Sequence, residues 1–289
     1  MMAPQPAPPG DAFPYTFSRG DHAFFEREIH QRCGIVLGWN KAPMMARRLS
    51  QRLRALGIED FGTYRQALEA EPASPEWNAV ISAVTTNRTE FFREIHHFKL
   101  LEFLLRTLVG AGMRRIRLWS SACSTGEEAY SMALTAWRVL HHRGIDCKIL
   151  ATDIDEMVLE TARQGRYDAD VMTQMPRFAR EHFAPDGDDS VVVTKQIRSL
   201  VSFKPLNLIT PIWPMRGPFD AIFCRNVLIY FTVEEQGRVI GRMRPLLADP
   251  GLLCLGHAET LPGIDPALQR GPGPTSHVTP GLDLTGALL

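Results

Sequence analysis

The chain has 289 residues, 45% hydrophobic and 22% charged, the balance of a soluble globular protein with one large domain or two smaller ones. Lys and Arg number 32, as do Asp and Glu, which argues against general nucleic-acid binding and against wholesale adhesion to anionic lipid. Cys33, Cys123, Cys147, Cys224 and Cys254 form no C-x-x-C pair, so neither a disulfide framework nor a metal centre is expected, and no uncharged apolar run approaches the ~18 residues of a membrane span.

Residues 1–13 are rich in Pro and Ala and read as a disordered leader, without the basic and then apolar pattern of a signal peptide. A cytoplasmic protein is expected. Residues 14–92 read as a small helical domain. Phe24 and Ile29 fall at helical spacing, and Ala42–Leu56 carries Met45, Leu49, Leu53 and Leu56 on one stripe, with Gly57 as a stop. Two shorter helices are expected over 61–69 and 76–84.

From residue 114 strands alternate with helices. Strand candidates lie at 114–120, within 146–155, and at 219–226 and 251–257, and helix candidates at 129–141, 157–164 and 233–247. That alternation predicts an α/β domain over 93–289 with a parallel sheet covered by helices. Within it, residues 167–203 read as an inserted antiparallel β-subdomain, holding a polar helix at 174–183, a turn at 185–189 and strand-like pieces at 191–195 and 199–203. Residues 261–289, with five Pro and five Gly, read as an irregular tail.

Ligands in open α/β sheets bind at the carboxyl ends of the strands. The first strand runs into S-A-C-S-T-G-E-E at 121–128, a small-residue turn opening a helix. It is not G-x-G-x-x-G, and its two glutamates would repel a pyrophosphate, so a ligand without phosphates fits better. The alternative is a plain tight turn in which Glu127 and Glu128 stabilise the helix dipole. The second strand ends on Asp153 and Asp155. Asp153 is the better candidate for accepting hydrogen bonds from ribose hydroxyls, since Asp155 can cap the next helix. The third ends in F-C-R-N-V-L-I-Y-F at 223–231, with Asn226 just beyond it. A ribose-binding acid without a phosphate cradle is the logic of an S-adenosylmethionine site. Ahead of the α/β domain, residues 85–98 read T-T-N-R-T-E-F-F-R-E-I-H-H-F, in which Phe91 and Phe92 can pack two domains together or serve the site.

Together N-x-T-x-F-F-R, A-x-S-T-G-E-E, D-I-D, F-C-R-N-V-x-I-Y-F and G-H-x-E resemble, in order, the CheR-type chemotaxis receptor methyltransferases over residues 17–259. The resemblance implies a helical N-terminal domain followed by a Rossmann-like methyltransferase domain with an inserted β-subdomain. It implies methyl transfer from S-adenosylmethionine to glutamate side chains on the cytoplasmic helices of chemoreceptors, leaving S-adenosylhomocysteine. It puts cofactor contacts on Asn87, Thr89, Arg93, Glu128, Asp153, Asn207, Leu208, Asn226 and Val227. Arg93 and Tyr230 fall near the transferred methyl group. It also gives a receptor-facing role to the second helix, where Lys41, Arg47, Arg48, Arg52 and Arg54 stand with no acidic residue between them. The 183–203 segment is shorter than in members that tether to a receptor pentapeptide and has one glycine, Gly187, which resembles the pentapeptide-independent branch. No nucleic acid, no membrane insertion and a monomer are expected. After Gly256, family members close the sheet with a strand pair, for which Pro272, Pro274 and Pro280 are poorly suited. The competing readings are a methyltransferase of the same fold acting on another carboxylate, and a signalling module that binds the cofactor without transfer.

Overall fold

The computed structural model describes residues 15–259, 268–271, 275–280 and 282, and the chain divides into two compact units between Thr85 and Thr86. The expected leader lies outside the described residues, as do 260–267, 272–274, 281 and 283–289 of the tail.

The first unit is helical. Helix α1 (Arg19–Cys33) opens with a capping box in which the Ser18 hydroxyl accepts the Asp21 N–H and Asp21 accepts the Ser18 N–H, and Gly34 stops it in the left-handed conformation. Helix α2 (Ala42–Leu56) ends at Gly57, also left-handed. Its stripe buries Met45, Leu49 and Leu53 completely, but Leu56 at the last turn is 46% exposed. Helix α3 (Phe61–Ala70) is capped by Asp60, and α4 (Glu76–Val84) follows. The five cations on and beside α2 are not equivalent. Arg52 makes a two-pronged bond to Glu76 at 2.9 and 2.7 Å, and Tyr64 donates to the same carboxylate at 2.6 Å. Arg48 donates to the carbonyls of Ala83 and Thr85, satisfying the open end of α4. The expectation of five unopposed positive charges is therefore corrected: only Lys41, Arg47 and Arg54 stand exposed.

The second unit opens with Phe91 and Phe92, both buried in its core. Phe91 packs edge-on against Tyr167 and Phe183, and Phe92 against Phe98 and Phe178. These rings explain why the division falls ahead of residue 92. Helix α5 (His96–Gly110) leads to β1 (Arg115–Ser120), α6 (Glu127–Leu140), β2 (Asp146–Asp153) and α7 (Glu156–Gln164). The insertion follows: β3 (Arg166–Asp168), the short helices α8 (Val171–Gln174) and α9 (Arg177–Arg180), β4 (Phe183–Pro185) and β5 (Ser190–Val193). These strands form a separate antiparallel sheet in the order β3-β5-β4. A single turn, α10 (Lys195–Arg198), leads to β6 (Val201–Pro205).

Here the reading of 199–203 as part of the insertion is corrected. Strand β6 pairs in parallel with β2, from Ile149↔Val201 to Asp153↔Pro205, and so belongs to the main sheet. The sheet continues through β7 (Phe219–Cys224), α11 (Val233–Met243), β8 (Leu247–Leu255), β9 (Gln269–Arg270) and β10 (Ser276–Val278), in the order β6-β2-β1-β7-β8-β10-β9. The first five strands of that order are parallel. Strand β10 closes antiparallel on β8, and β9 on β10. The expectation of an irregular tail is corrected at 269–270 and 276–278, because the prolines flank β10 in sequence and leave its ladder intact. The chain builds outward from β1 through β2 to β6, then crosses back to lay β7 and β8 on the other side. That reversal puts a crevice at the carboxyl ends of β1 and β7.

Candidate active site

The strand ends at this crevice are held by side chains rather than by sheet hydrogen bonds alone. Among the described residues, four that are not glycine have a left-handed backbone: Phe92, Glu94, Ser124 and Asn226. Such conformations cost roughly 1–2 kcal/mol each and persist where the surroundings fix them. All four lie in the segments singled out from the sequence.

At β1 and β2, the Ser124 N–H donates to Asp153 Oδ2 at 2.8 Å, and the Asp155 N–H to Asp153 Oδ1 at 3.0 Å. Asp155 accepts the Met157 N–H as the cap of α7, and its other oxygen accepts from Asn87 Nδ2 at 2.9 Å. The Ser124 hydroxyl donates to the Asn87 carbonyl at 3.0 Å. Asn87, the turn after β1 and the end of β2 are thus laced into one cluster. Gly126 turns with φ near +100°, and a Cβ there would meet Ala162 Cβ at 2.9 Å, so no other residue fits. Burial pushes the Asp153 carboxyl up to about 6, against the two N–H donors that favour its charged form. Burial likewise raises Glu127.

A second cluster forms around β7. Arg225, just past the strand and 5% exposed, donates to Glu128 Oε2 at 3.0 Å and to the Arg93 carbonyl, and lies 3.4 Å from Glu94 Oε2. Ser120 donates to the other oxygen of Glu128 at 2.7 Å. Glu128, expected beside the cofactor, therefore points its carboxylate into this internal network. Burial raises its pKa and the guanidinium opposes that rise. Glu259 of the G-H-x-E motif accepts backbone N–H groups from Gly256, Asn226, Val227 and Leu228. Its carboxylate fixes the turn that presents Asn226 and Val227. Gly256 lets this happen, since a Cβ there would sit 2.7 Å from Asn226 N. Tyr230 ends a 3-10 turn, Leu228–Tyr230, and is half-buried, like Thr89 and Arg93. Arg93 donates to the Arg88 carbonyl at 3.0 Å. Beyond β6, Asn207 accepts the Ile209 N–H, and Arg242 of α11 holds the carbonyl of buried Leu208.

Arg225 and Glu259 are the residues that reading the motifs alone did not select. A charged residue inside the mostly apolar run 221–231 was the available sign for Arg225. Nothing in the sequence marks Glu259 as an acceptor for a loop 31 to 33 residues away. Replacing Glu259 by alanine is expected to orphan four backbone donors. At about 1–3 kcal/mol for a buried donor left unsatisfied, a loss of ~3 kcal/mol or more is expected in urea unfolding. A change below 1 kcal/mol would show that water replaces the carboxylate.

Asp153 ends β2 and Asp155 caps α7 just beyond it, while the turn after β1 consists of small residues and runs into Glu127 at the start of α6, whose carboxylate accepts from the Thr125 hydroxyl. An acid-lined site with no glycine phosphate cradle suits a positively charged, phosphate-free nucleoside, which is what S-adenosylmethionine is. A Rossmann-like sheet with these strand ends is a methyltransferase fold with that cofactor.

Comparison with known proteins narrows the class. Residues 87–275 match the model for the CheR methyltransferase SAM binding domain, and 21–85 that for the CheR methyltransferase all-alpha domain. The chemotaxis protein methyltransferase of Klebsiella aerogenes is 47% identical over 236 residues, covering 80% of each chain. That of Escherichia coli is 44% identical over 80% of this chain and 81% of its own. Chemotaxis protein methyltransferase 2 of Pseudomonas aeruginosa is 41% identical over 90% of this chain and 93% of its own. The chain belongs to the CheR methyltransferase family.

Proposed function

We propose that this chain transfers the methyl group of S-adenosylmethionine to glutamate side chains of chemoreceptors, giving glutamate 5-O-methyl esters and S-adenosylhomocysteine. The observation that carries this reading is the crevice at the carboxyl ends of β1 and β7. It is acidic where the cofactor would sit, and the Arg225 network ties the backbone of Arg93 beside it. The cofactor supplies an activated methyl group on a sulfonium. A glutamate carboxylate, with an ordinary pKa of about 4.3, is already ionised at neutral pH. Its oxygen forms the new O–C bond as the C–S bond breaks, the electron pair stays on sulfur, and no proton moves. What remains for the protein is to hold the two partners in line and to exclude water.

Asp153 takes the ribose hydroxyls. Asn207 and Leu208 lie by the adenine, and Asn87, Thr89, Asn226 and Val227 complete the cofactor site. Arg93 and Tyr230 face the methyl group. A guanidinium fork on Arg93 orients the incoming carboxylate. Arg93→Ala is expected to lower turnover about 100-fold while cofactor affinity stays within a few-fold, because misplacing a reacting group costs rate rather than binding. Equal turnover in the variant, measured at saturating cofactor, would remove the role.

The receptor-facing surface is α2, and the structure narrows which of its cations are available. Arg48 and Arg52 are committed within the first unit, so Lys41, Arg47 and Arg54 carry the docking role. Reversing these three to Glu is expected to slow receptor methylation and abolish its salt dependence, with the melting temperature unchanged; an unaltered salt profile would count against the surface. The protein acts as a cytoplasmic monomer, and no helix among the described residues is long and apolar enough to cross a membrane. It works without a pentapeptide tether. The turn between β4 and β5 is short, closed by the Asp186 N–H on the Ser190 carbonyl, and has Gly187 as its one glycine. The deciding assay is transfer from labelled S-adenosylmethionine to receptor-containing membranes, scored as base-labile methanol. No base-labile label on any receptor would favour another carboxylate substrate.

A further inference from the structure

We propose that Glu94, His96, His97 and His257 form a site for one divalent transition-metal ion of the zinc or cobalt type. The residues come from two distant pieces of chain, Glu94 with the first turn of α5 (His96, His97) and the turn after β8. The ligand atoms of Glu94, His96 and His97 all lie within 4.8 Å of one another. His257 Nε2 lies 3.8 Å from Glu94 Oε2, and its ring centre 5.2 Å from that of His96.

Three of the converging atoms, Glu94 Oε2, His96 Nε2 and His97 Nδ1, are buried without a hydrogen-bond partner. Buried polar atoms in native proteins are normally satisfied; here two imidazole nitrogens have no hydrogen bond and Glu94 Oε2 has only its longer ion pair with Arg225, so the three together point to a missing partner. The His97 side chain is fully buried, and its Nε2 lies 2.9 Å from the Thr275 hydroxyl. Its Nδ1 stands 3.4 Å from Glu94 Oε2 yet makes no hydrogen bond to it. That fits an imidazole whose Nε2–H donates to Thr275 and whose Nδ1 offers a lone pair, the arrangement by which an outer hydrogen bond orients a metal-binding histidine.

Charge favours a cation. Glu94 and Glu128 share the single buried Arg225, which leaves one formal negative charge in excess. The guanidinium lies 3.4 Å from the Glu94 oxygen a metal would use, but it is already closer to Glu128, at 3.0 Å, and can stay there when Glu94 turns to the ion. Tetrahedral ligands around zinc sit ~3.4 Å apart, so side-chain rotation has to close the widest gap. His257, with its side chain 62% exposed, has that freedom and provides the entry path. Imidazole nitrogens with one carboxylate select zinc, cobalt, nickel or copper over magnesium or calcium. An ion here would tie the segment carrying Arg93 to the turn carrying Glu259.

The test is titration of the chelator-stripped full chain with zinc chloride and cobalt chloride, followed by calorimetry and by the visible absorption of cobalt. One equivalent is expected, with a low-coordination cobalt spectrum and a raised melting temperature. His257→Ala, exposed and safe for folding, and His96→Ala should each weaken binding by ~10-fold or more. Circular dichroism and S-adenosylmethionine affinity check that both variants are folded. No stoichiometric binding would overturn the proposal. So would binding that is equally tight in both variants, which would place the ion elsewhere, for example at the adjacent His141 and His142.

Discussion

Replacing Arg225 by alanine is expected to cost about 3–5 kcal/mol of folding stability at neutral pH, the range for stripping a buried charge of its partner. The guanidinium is the shared counter-ion of Glu94 and Glu128, donates to the Arg93 carbonyl, and lies over the rings of Phe98 and Phe223 at 5.7 and 5.8 Å. Its removal leaves two carboxylates in the interior. The pH dependence separates charge from packing. Burial already raises Glu128, and Arg225 is the main influence holding it down. Without Arg225 the folded-state pKa rises further. A carboxyl raised on folding favours the folded state below its unfolded pKa, and that contribution is lost as pH rises through the folded value. The deficit of the variant should therefore shrink as pH falls from 7 towards 5. Urea midpoints at the two pH values read this directly, and Arg225→Met, which keeps most of the volume, should show the same trend. A deficit equal at both would assign the loss to packing.

Asp153→Asn is expected to weaken S-adenosylmethionine binding by ~100-fold, because two charge-assisted bonds to ribose hydroxyls are each worth about 1.5–3 kcal/mol and the amide cannot make both. The unmodified protein should show a pH signature that the variant lacks. Burial holds the Asp153 carboxyl at about 6, so its contribution to folding is fully favourable below the unfolded value of 3.8 and disappears as pH climbs through about 6. Cofactor binding has the opposite sign. Hydroxyl donors want the ionised carboxylate, so binding below pH 6 must expel a proton. Affinity should fall by up to about tenfold per pH unit below that point and level off above it. Isothermal titration at pH 5, 6 and 7.5 tests the affinity profile, and urea midpoints of the unmodified protein and the variant at the same pH values test the folding contribution. A flat profile for the unmodified protein would argue that Asp153 does not contact the cofactor in its ionised form.

Both predictions concern residues whose roles were unequally visible in the sequence. The position of Asp153 at the end of a strand, a few tens of residues after a small-residue turn, could be read, and its ribose contact is what the titration above tests. Asp155 as the cap of α7 was legible for the same reason, since capping acts over two or three residues. Arg225 was visible only as a charge in an apolar run. Its partners lie 97 and 131 to 132 residues away in sequence, and no local rule couples them. Arg48 and Arg52 show the reverse error. As sequence they formed an open basic stripe, but Glu76 and the carbonyl end of α4, brought against α2 by the fold, neutralise one and occupy the other.

What the sequence by itself determined are features set by neighbours along the chain. These are α2 and α4 to their end residues, the alternation of strand and helix, the glycine stop after α2, and the acid Asp155 that caps α7. Only the tertiary structure decided that Phe91 and Phe92 belong to the second core, that 201–205 joins the main sheet, and that Ser276–Val278 closes on β8 between its prolines. It also decided that Glu128 faces inward to Arg225 and that Glu259 holds the turn of Asn226. The physical reason is range. Propensity, capping and side-chain period act within one or two turns of chain, whereas strand pairing, buried charge and backbone satisfaction depend on which distant groups the packed core brings within about 3 Å.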